Sequence, residues 1–462
     1  MDVVIAGSSS AVRGTVSMPA DKAICHRAAL LAALSSSTVE IKPWATGDDC
    51  RRTLDVLQAL GVGVAETSDG VRVQGAGLAG WRAPREALSC GDSGTTMRLL
   101  CGALAGQPFR AEVTGGPSLS QRPMRRIAEP LTAMGARVTG VSGAGQEVRP
   151  PLVIEGRRPL RGITHTLPVA SAQVKSAILL AALFADGPTT VVEPSPTRDH
   201  TERLLHLSGV TLGREGHRLT LQPPVRLSVP ARLAVPADPS SAAFFIVAAC
   251  LLPGSRLVIP DVGLNPTRTA FLEVLKRMGA SLAINLDADG WEPRGTVTAT
   301  PSPLRGTTVT PAEVPQLIDE IPILMVAACA AEGTTRFEGV GELQVKETDR
   351  LRSMTDGLRA LGADVTVEVA GPAAGDTPSA AGTVPPRSPS TTVIVRPSRL
   401  HGGVVDSFGD HRTAMSLAVA GLAATGATRV QGAECVRKSL ENFFELLTDL
   451  TTTGTVKVID NA

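Results

Sequence analysis

A mixed-charge cluster marks the stretch VKETDRLRSM, residues 345–354. Lysine and arginine side chains are interspersed there with Glu347 and Asp349, directly after the loop-like run EGVGELQ. A solvated helix face is the ordinary explanation of such a run. The alternative explanation is a site, because carboxylates held among cations can exchange protons with a bound anionic molecule.

Cationic side chains recur at the expected starts of other helices. A helix N-terminus carries unpaired N–H groups and the positive end of the helix dipole, so acidic residues are favoured there and cations are not. The same departure in several helices of one chain predicts that these ends gather around a strongly anionic ligand. The cations concerned are Lys22, Arg27, Arg122, Arg198, Lys346, Arg350, Arg412 and Lys438.

Asp319 lies at the expected start of an apolar helix, DEIPILMVAACAA. An N-cap is the common reason for an aspartate at such a position. In a cationic cleft, Asp319 and Glu347 could instead transfer protons, with their protonation set by burial and by neighbouring charges.

Two patterns that could signal a cofactor lack the context they need. GAGLAG, residues 75–80, has the glycine spacing of a dinucleotide-binding turn, but WRAPREAL follows it and not an apolar helix. The seven histidines have no ligand spacing with cysteine or with each other, so we expect no metal and no cofactor. His200 and His411 are expected to make structural hydrogen bonds near the site.

Composition is that of an ordinary globular protein of 462 residues, with 43% hydrophobic residues and a formal net charge of +1. That charge balance gives no indication of a nucleic-acid partner. The seven scattered cysteines suit a reducing compartment. No signal peptide or membrane-spanning run is visible, so a cytoplasmic protein with no membrane partner is expected.

Amphipathic segments that end in glycine recur at intervals of about 75 residues. Each resembles VLQALGVGV, in which a glycine stops a helix and a strand follows. The glycines are Gly61, Gly135, Gly209, Gly279 and Gly362, and the segment ELLTDLTTTGTVKV gives a degenerate sixth copy.

A second repeated pattern is a nearly uniformly apolar helix that follows a polar N-cap residue. A helix that is apolar on every face must be buried on every face. The six expected N-caps are Asp21, Asp92, Ser171, Asp238, Asp319 and Asp410. Together the two patterns predict an α/β fold of six βαβαββ repeats with buried helices. A solenoid scaffold is the alternative for a repeated chain, but single-layer stacking does not cover such helices.

Closed packing of six repeats predicts two domains of three repeats each. The boundary is expected near Pro236, between a first domain at 20–235 and a second at 236–462. Residues 371–389, GPAAGDTPSAAGTVPPRSP, have the composition of a flexible surface insertion.

Eight motifs, in this order, resemble those of the 3-phosphoshikimate 1-carboxyvinyltransferase (5-enolpyruvylshikimate-3-phosphate synthase) family. They are MPADKAICHRAALLAAL, CGDSGTTMRLL, SLSQRPM, SAQVKSAILLAAL, DPSSAAFF, LIDEIPIL, VKETDRL and GDHRTAM. The resemblance implies a two-domain inside-out α/β barrel-like fold, with the N-terminal strand at 1–19 packing against the second domain. It also implies transfer of enolpyruvyl from phosphoenolpyruvate to the 5-hydroxyl of shikimate 3-phosphate, through a tetrahedral intermediate.

The resemblance assigns roles position by position. Asp319 would accept the hydroxyl proton, and Glu347 and Lys22 would handle the proton at the methylene carbon. Phosphoenolpyruvate would be held by Lys22, Gly94, Arg122, Gln173, Arg350, Arg412 and Lys438. Shikimate 3-phosphate would be held by Lys22, Arg27, Ser171, Ala172, Gln173, Thr197, Arg198, Asp319 and Lys346. Glyphosate is implied as an inhibitor in the phosphoenolpyruvate pocket, and a monomer is expected.

Several positions depart from the family pattern. Ala23 and Ala172 stand where serine is usual, and Thr197 replaces another serine. Asp92 and Glu342 stand where asparagine is usual. The loss of one neutral hydrogen bond at Ala23 predicts weaker and not abolished activity, at about 1 kcal/mol.

Two rival functions follow from the same residues. The sibling enzyme that acts on UDP-N-acetylglucosamine uses a mobile loop with a reactive cysteine, and TGGPSLSQRPM has none. A non-catalytic anion-binding repeat protein is the other rival. A mere binder would gain nothing from carboxylates beside its anionic ligand, so Asp319 and Glu347 favour the enzyme.

Overall fold

A computed structural model describes residues 1–7, 11–142, 147–223, 226–287, 290–370 and 390–459. The insertion expected at 371–389 lies outside the described residues. The chain divides into two compact units. The central unit is Pro19–Pro236, and the terminal unit combines Met1–Met18 with Ala237–Ala462.

Six four-stranded sheets, three in each unit, are formed by the described residues. The strands are β1 Asp2–Ala6, β2 Arg13–Thr15, β3 Thr38–Lys42, β4 Gly63–Glu66, β5 Val71–Gln74, β6 Leu88–Ser89, β7 Arg110–Thr114, β8 Arg137–Ser142, β9 Val148–Glu155, β10 Thr164–Thr166, β11 Thr189–Val192, β12 Leu212–Glu215, β13 Arg218–Leu221, β14 Arg232–Ala234, β15 Arg256–Gly263, β16 Ser281–Leu286, β17 Arg294–Thr300, β18 Thr308–Val309, β19 Thr335–Glu338, β20 Asp364–Ala370, β21 Ser390–Arg396, β22 Val404–Asp406, β23 Ala427–Gln431 and β24 Val456–Ile459.

One strand arrangement is common to all six sheets. The central unit contains β14-β3-β5-β4, β6-β7-β9-β8 and β10-β11-β13-β12. The terminal unit contains β2-β15-β17-β16, β18-β19-β21-β20 and β22-β23-β1-β24. In each order the first pair is parallel and the other two pairs are antiparallel. The repeated βαβαββ unit is therefore confirmed, and N-terminal β1 and β2 belong to sheets of the terminal unit.

The helices alternate between amphipathic and fully apolar ones, as expected. They are α1 Lys22–Leu34, α2 Asp48–Ala59, α3 Gly94–Ala105, α4 Pro117–Ser120, α5 Arg125–Ala133, α6 Ala172–Ala182, α7 His200–Leu207, α8 Pro239–Leu251, α9 Ala270–Arg277, α10 Val314–Leu317, α11 Ile321–Cys329, α12 Arg350–Ala360, α13 His411–Ala423 and α14 Phe443–Leu450, with 3-10 turns at Gly341–Val345 and Ala433–Lys438. Among the residues that the structure describes, none of the helices combines the length and the apolarity that crossing a bilayer requires.

Glycines end the amphipathic helices in the left-handed conformation, where a side chain would be strained. Gly135 after α5 has a φ of 105°, and Gly279 after α9 has a φ of 92°. Gly61, Gly209 and Gly362 likewise have positive φ, so this prediction is confirmed.

The apolar helices α1, α3, α6, α8, α11 and α13 are buried along nearly their whole length. Asp21, Ser171, Asp238 and Asp410 cap their helices through the side chain, as predicted. Two predicted N-caps are wrong. Ser93 and not Asp92 caps α3, and α11 begins after Glu320, which leaves the side chain of Asp319 outside the helix.

Candidate active site

In the terminal unit, a cluster of charged side chains surrounds Arg350, the first residue of α12, which is only 2% exposed. Asp349 caps this helix by accepting from the backbone N–H of Arg352, which directs the Arg350 side chain inward. Nε of Arg350 donates to Oδ2 of Asp410 at 2.8 Å, and Nη2 donates to Oε2 of Glu347 at 3.1 Å. Nη1 donates to Oδ1 of Asp319 at 3.4 Å. One guanidinium thus joins three carboxylates from separate segments.

Burial by itself disfavours the charged form of Arg350. The negative charges of Asp410, Glu347 and Asp319 outweigh it and raise the pKa of the guanidinium further above its usual range. Arg350 is therefore a permanent cation. Asp319 and Glu347 are still partly exposed, at 19% and 16%, so both carboxylates remain reachable by a ligand.

Arg412 is held beside the same carboxylates by the start of α13. The side chain of Asp410 accepts from the backbone N–H of Arg412 at 2.8 Å. Nη1 of Arg412 donates to the backbone carbonyl of Asp319 at 2.9 Å and lies 3.7 Å from Oε1 of buried Glu320. The hydroxyl of Ser240 donates to that same oxygen of Glu320. Arg412 is therefore held in place by Asp410, Asp319 and Glu320.

Three further polar side chains extend this cluster. Nζ of Lys346 lies 3.8 Å from Oδ1 of Asp319. Nδ1 of His411, a buried residue, lies 3.0 Å from Oε2 of Glu347. Nζ of Lys438 donates to the carbonyl of Gly409, directly before Asp410, at 3.2 Å. Six predicted residues thus belong to this cluster: Asp319, Lys346, Glu347, Arg350, Arg412 and Lys438.

Glu347, Asp410 and His411 bring three ligand-type atoms within 4.8 Å of one another. That grouping alone would suggest a cation site. The guanidinium of Arg350, however, already bonds both carboxylates. It supplies the positive charge that a metal ion would otherwise provide.

In the central unit, Lys22 begins α1 and is paired with the start of α2. Its Nζ donates to Oδ2 of Asp49 at 2.8 Å. Behind this pair, Nδ1 of buried His26 lies 2.6 Å from the hydroxyl of Thr53, which is 2.8 Å from the hydroxyl of Thr96. Burial lowers the pKa of His26 to about 3, so the imidazole is neutral and joins the three helices through hydrogen bonds.

Gly94, the first residue of α3, lies beneath two guanidinium groups. A methyl group added there would lie 2.5 Å from Nη1 of Arg122 and 2.6 Å from Nη1 of Arg98. Arg98 donates to Oε1 of Gln173 at 2.9 Å, and Nε2 of Gln173 donates to the hydroxyl of Thr95 at 2.9 Å. Nε of Arg122 is buried and has no hydrogen-bond acceptor among the described residues. Two cations close to one stretch of backbone are an arrangement that suits an anion.

Arg27 is buried, and its guanidinium is bonded to groups of the protein. Its guanidinium donates to the hydroxyl of Thr201 at 2.8 Å, the carbonyl of Ala23 at 2.7 Å and the hydroxyl of Ser176 at 3.0 Å. These bonds join α1 to α6 and α7. Ser171 caps α6 through its side chain, which places Ala172 as the first residue of that helix.

Thr197 is buried, and its hydroxyl donates to Oε1 of Glu193. Arg198, the next residue, is partly exposed. The predicted site residues of the central unit are therefore placed in the first two turns of α1, at the starts of α3 and α6, between α4 and α5, and just before α7.

Sequence reasoning missed Asp49, Arg98 and Thr95 as partners of the predicted residues. Arg98 could have been found, because it is one more cation in the first turns of an apolar helix. Asp49 gave no signal, since an acidic residue at the start of α2 is what helix electrostatics favours.

The family model described as EPSP synthase (3-phosphoshikimate 1-carboxyvinyltransferase) matches residues 7–447. A 3-phosphoshikimate 1-carboxyvinyltransferase of Halorhodospira halophila is 46% identical over 439 residues, which cover 95% of this chain and 93% of that protein. Its counterpart in Acidithiobacillus ferrooxidans is 45% identical over 436 residues, 94% of each chain.

Solved structures show the same architecture. The EPSP synthase of Acinetobacter baumannii matches with a TM-score of 0.82 and 38% identity, over 99% of this chain and 100% of that one. The enolpyruvyl transferase NikO of Streptomyces tendae matches with a TM-score of 0.71 at 19% identity, which shows a shared fold alone. The match along most of its length shows that this chain belongs to the 3-phosphoshikimate 1-carboxyvinyltransferase (EPSP synthase) family.

Proposed function

We propose that this protein transfers the enolpyruvyl group of phosphoenolpyruvate to the 5-hydroxyl of shikimate 3-phosphate and releases phosphate. The product is 5-enolpyruvylshikimate 3-phosphate, an intermediate of the shikimate pathway to chorismate and the aromatic amino acids. The observation that carries the proposal is the arrangement around Arg350. A permanently charged arginine is bonded there to Asp319 and Glu347, and both carboxylates remain partly exposed.

The proposed phosphoenolpyruvate ligands are mainly arginines, whose planar forks suit carboxylate and phosphate groups. The guanidinium groups over Gly94 support this assignment, because two adjacent cations repel each other unless an anion lies between them. The two guanidinium groups can lie this close to the backbone because Gly94 has no side chain. The full proposed set is Lys22, Gly94, Arg122, Gln173, Arg350, Arg412 and Lys438.

The proposed shikimate 3-phosphate ligands are mostly in the central unit. Their cations suit its phosphate and carboxylate, and the start of α6 offers backbone N–H groups. The set is Lys22, Arg27, Ser171, Ala172, Gln173, Arg198, Asp319 and Lys346. Thr197, which the resemblance adds to this set, is buried and its hydroxyl is bonded to Glu193, so it would act on the ligand indirectly. Arg27 would act mainly by fixing the start of α1, given its bonds to Thr201 and Ser176.

Proton transfer is assigned to the accessible carboxylates. Asp319 would take the proton of the 5-hydroxyl while the oxygen of that hydroxyl bonds to the second carbon of phosphoenolpyruvate. Glu347 and Lys22 would deliver a proton to the methylene carbon, which becomes a methyl group in the tetrahedral intermediate. Loss of a proton from that methyl group then expels phosphate. Positioning and charge neutralisation by the arginines would supply most of the rate enhancement.

The test is phosphate release from shikimate 3-phosphate and phosphoenolpyruvate, measured for the wild type and for Asp319→Asn. We expect release that requires both substrates and that falls at least about 100-fold in the variant, since a general base contributes about 10²–10⁴-fold. Asp356→Asn is the matched control, because Asp356 is an exposed carboxylate of the same unit. Tight binding of shikimate 3-phosphate without any release would contradict the enzymatic function and leave an anion-binding protein.

We also propose that glyphosate binds in place of phosphoenolpyruvate and that the protein acts in the cytoplasm as a monomer. A residue larger than Gly94 would displace Arg122 and Arg98, the cations of the proposed pocket. Phosphate release should fall with added glyphosate and recover with excess phosphoenolpyruvate. Sedimentation of the purified protein should give the mass of one chain.

A further inference from the structure

A lysine without exposed side-chain surface lies on the first turns of α6. Nζ of Lys175 is 2.6 Å from Oε1 of Glu202 and 3.0 Å from Oε1 of Glu193. It also donates to the backbone carbonyl of Thr197 at 3.4 Å. Removing an ammonium group from water is costly unless ionised and hydrogen-bonding partners compensate. This cluster supplies such partners from within the central unit.

The cluster is balanced in charge without any ligand. Nη2 of Arg214, on β12, lies 3.3 Å from Oε1 of Glu202 and 3.6 Å from Oε2 of Glu193. Two cations therefore face two carboxylates. A group balanced in this way has no excess charge for a bound ion to neutralise, so we assign it the role of holding the chain segments that carry it.

Those segments lead to the proposed site. Glu193 follows β11 and Glu202 lies on α7, so Lys175 ties the segment 193–202 to α6. Thr197 makes two hydrogen bonds to the cluster. Its hydroxyl donates to Glu193, and its backbone carbonyl accepts from Lys175. The side chain that follows, Arg198, is the partly exposed cation of this segment.

We infer that Lys175 is a positioning residue for the binding of shikimate 3-phosphate, an inference that rests on the proposed function. Lys175 and Glu193 hold Thr197 inward and thereby fix the backbone from which Arg198 reaches the phosphate group of the substrate. Thr197 acts through Glu193 and not as a direct ligand, which differs from the role that family resemblance implies.

Lys175→Met is the primary test. We expect the KM and the Kd for shikimate 3-phosphate to rise at least about tenfold, which corresponds to the loss of one charge-assisted hydrogen bond. The kcat and the KM for phosphoenolpyruvate should stay within about twofold, because Lys175 contacts neither the carboxylates nor the arginines assigned to that chemistry. A purely structural role would lower the amount of active enzyme without this split.

Leu179→Ala is the matched control. Leu179 is buried on the same helix, and its truncation leaves a cavity that destabilises the unit without altering the cluster. Its Tm should fall while its Kd for shikimate 3-phosphate stays that of the wild type. An equal rise of Kd in Leu179→Ala and Lys175→Met would overturn the inference.

A double-mutant cycle gives a second test that does not depend on the folding of Lys175→Met. Thr197→Val and Glu193→Met should each raise the Kd for shikimate 3-phosphate. The Kd of the double variant should be about the larger of the two single-variant Kd values. Fully additive effects would make Thr197 an independent ligand and overturn the inference.

The outcomes separate the inference from the function on which it rests. A wild type that neither binds shikimate 3-phosphate nor releases phosphate overturns both. A wild type that turns over, with a Lys175→Met variant whose Kd is unchanged, overturns the positioning role of Lys175 alone.

Discussion

Arg350 in the terminal unit and Lys175 in the central unit are both buried cations bonded to carboxylates. The two clusters differ in the number of carboxylates bonded to the cation and in the exposure of those carboxylates. Arg350 meets three carboxylates, and two of them remain partly exposed. Lys175 meets two carboxylates that Arg214 also contacts, and the side chains of Lys175 and Glu193 are almost fully buried. Burial and salt bridges alone therefore do not identify a catalytic group.

The informative features are the number of carboxylates that each buried cation bonds and how exposed they are. Arg350 bonds three carboxylates, and the two that are partly exposed can exchange protons with a bound molecule. Around Lys175 two cations match two carboxylates. We therefore assign chemistry to the first cluster and positioning to the second.

The largest expected effect is on Arg350. Arg350→Met should lower kcat/KM by at least about 10³-fold, because it removes charge stabilisation from the reaction and leaves the buried carboxylate of Asp410 without its bonded cation. The measurement is phosphate release, with circular dichroism to establish folding. Arg352→Met is the control, since Arg352 is 76% exposed on the same helix. If Lys175→Met lowered kcat as much as Arg350→Met, the distinction between the two clusters would fail.

An intermediate effect is expected at Gly94, where cations lie over backbone and not beside carboxylates. Gly94→Ala should raise the KM for phosphoenolpyruvate about tenfold, because the added methyl group displaces Arg122 and Arg98 and weakens about one charged hydrogen bond. The KM for shikimate 3-phosphate should change less. Gly187→Ala is the control, since only one atom, 4.0 Å away, would approach a methyl group there. Equal kinetics in both variants would remove Gly94 from the proposed pocket.

The smallest effect on catalysis is expected for His26, a buried group that burial keeps neutral. His26 has a pKa of about 3 when folded and about 6.5 when unfolded, so the unfolded chain binds more protons between these values. His26 should therefore make the free energy of unfolding fall as pH falls through this range, by up to about 1.4 kcal/mol per pH unit.

Denaturant unfolding at a series of pH values measures this contribution. His26→Gln should show a shallower loss of stability between about pH 6.5 and 3 than the wild type. Exposed His206 gives the control variant, His206→Gln, which should keep the wild-type slope. An unchanged slope in His26→Gln would mean that His26 is not held neutral.

The repeated fold could be predicted because its signals are local. A glycine such as Gly135 ends a helix through its own conformation, and an apolar helix such as α8 must be buried wherever it lies. The two N-cap errors are also local. Spacing does not tell whether Asp92 or Ser93 caps α3, since both are good caps and one residue apart.

The pairings within the site could not be predicted in the same way. Arg350 and Asp410 are 60 residues apart, and Lys22 and Asp49 are 27 apart. Only the packing of successive repeats brings them together. Resemblance to a family gave the residue types assigned to the ligand, but it did not reveal the salt bridges of Lys175 with Glu193 and Glu202.

Turnover in D₂O tests the central claim, that accessible carboxylates of the Arg350 cluster move protons during enolpyruvyl transfer. Protonation of the methylene carbon by Glu347, followed by loss of a proton from the methyl group, exchanges hydrogen with solvent. Mass spectrometry of the product should therefore find deuterium on the vinyl carbon with the wild type, and much slower deuterium incorporation with Glu347→Gln. Product formed at the wild-type rate without deuterium would contradict the account.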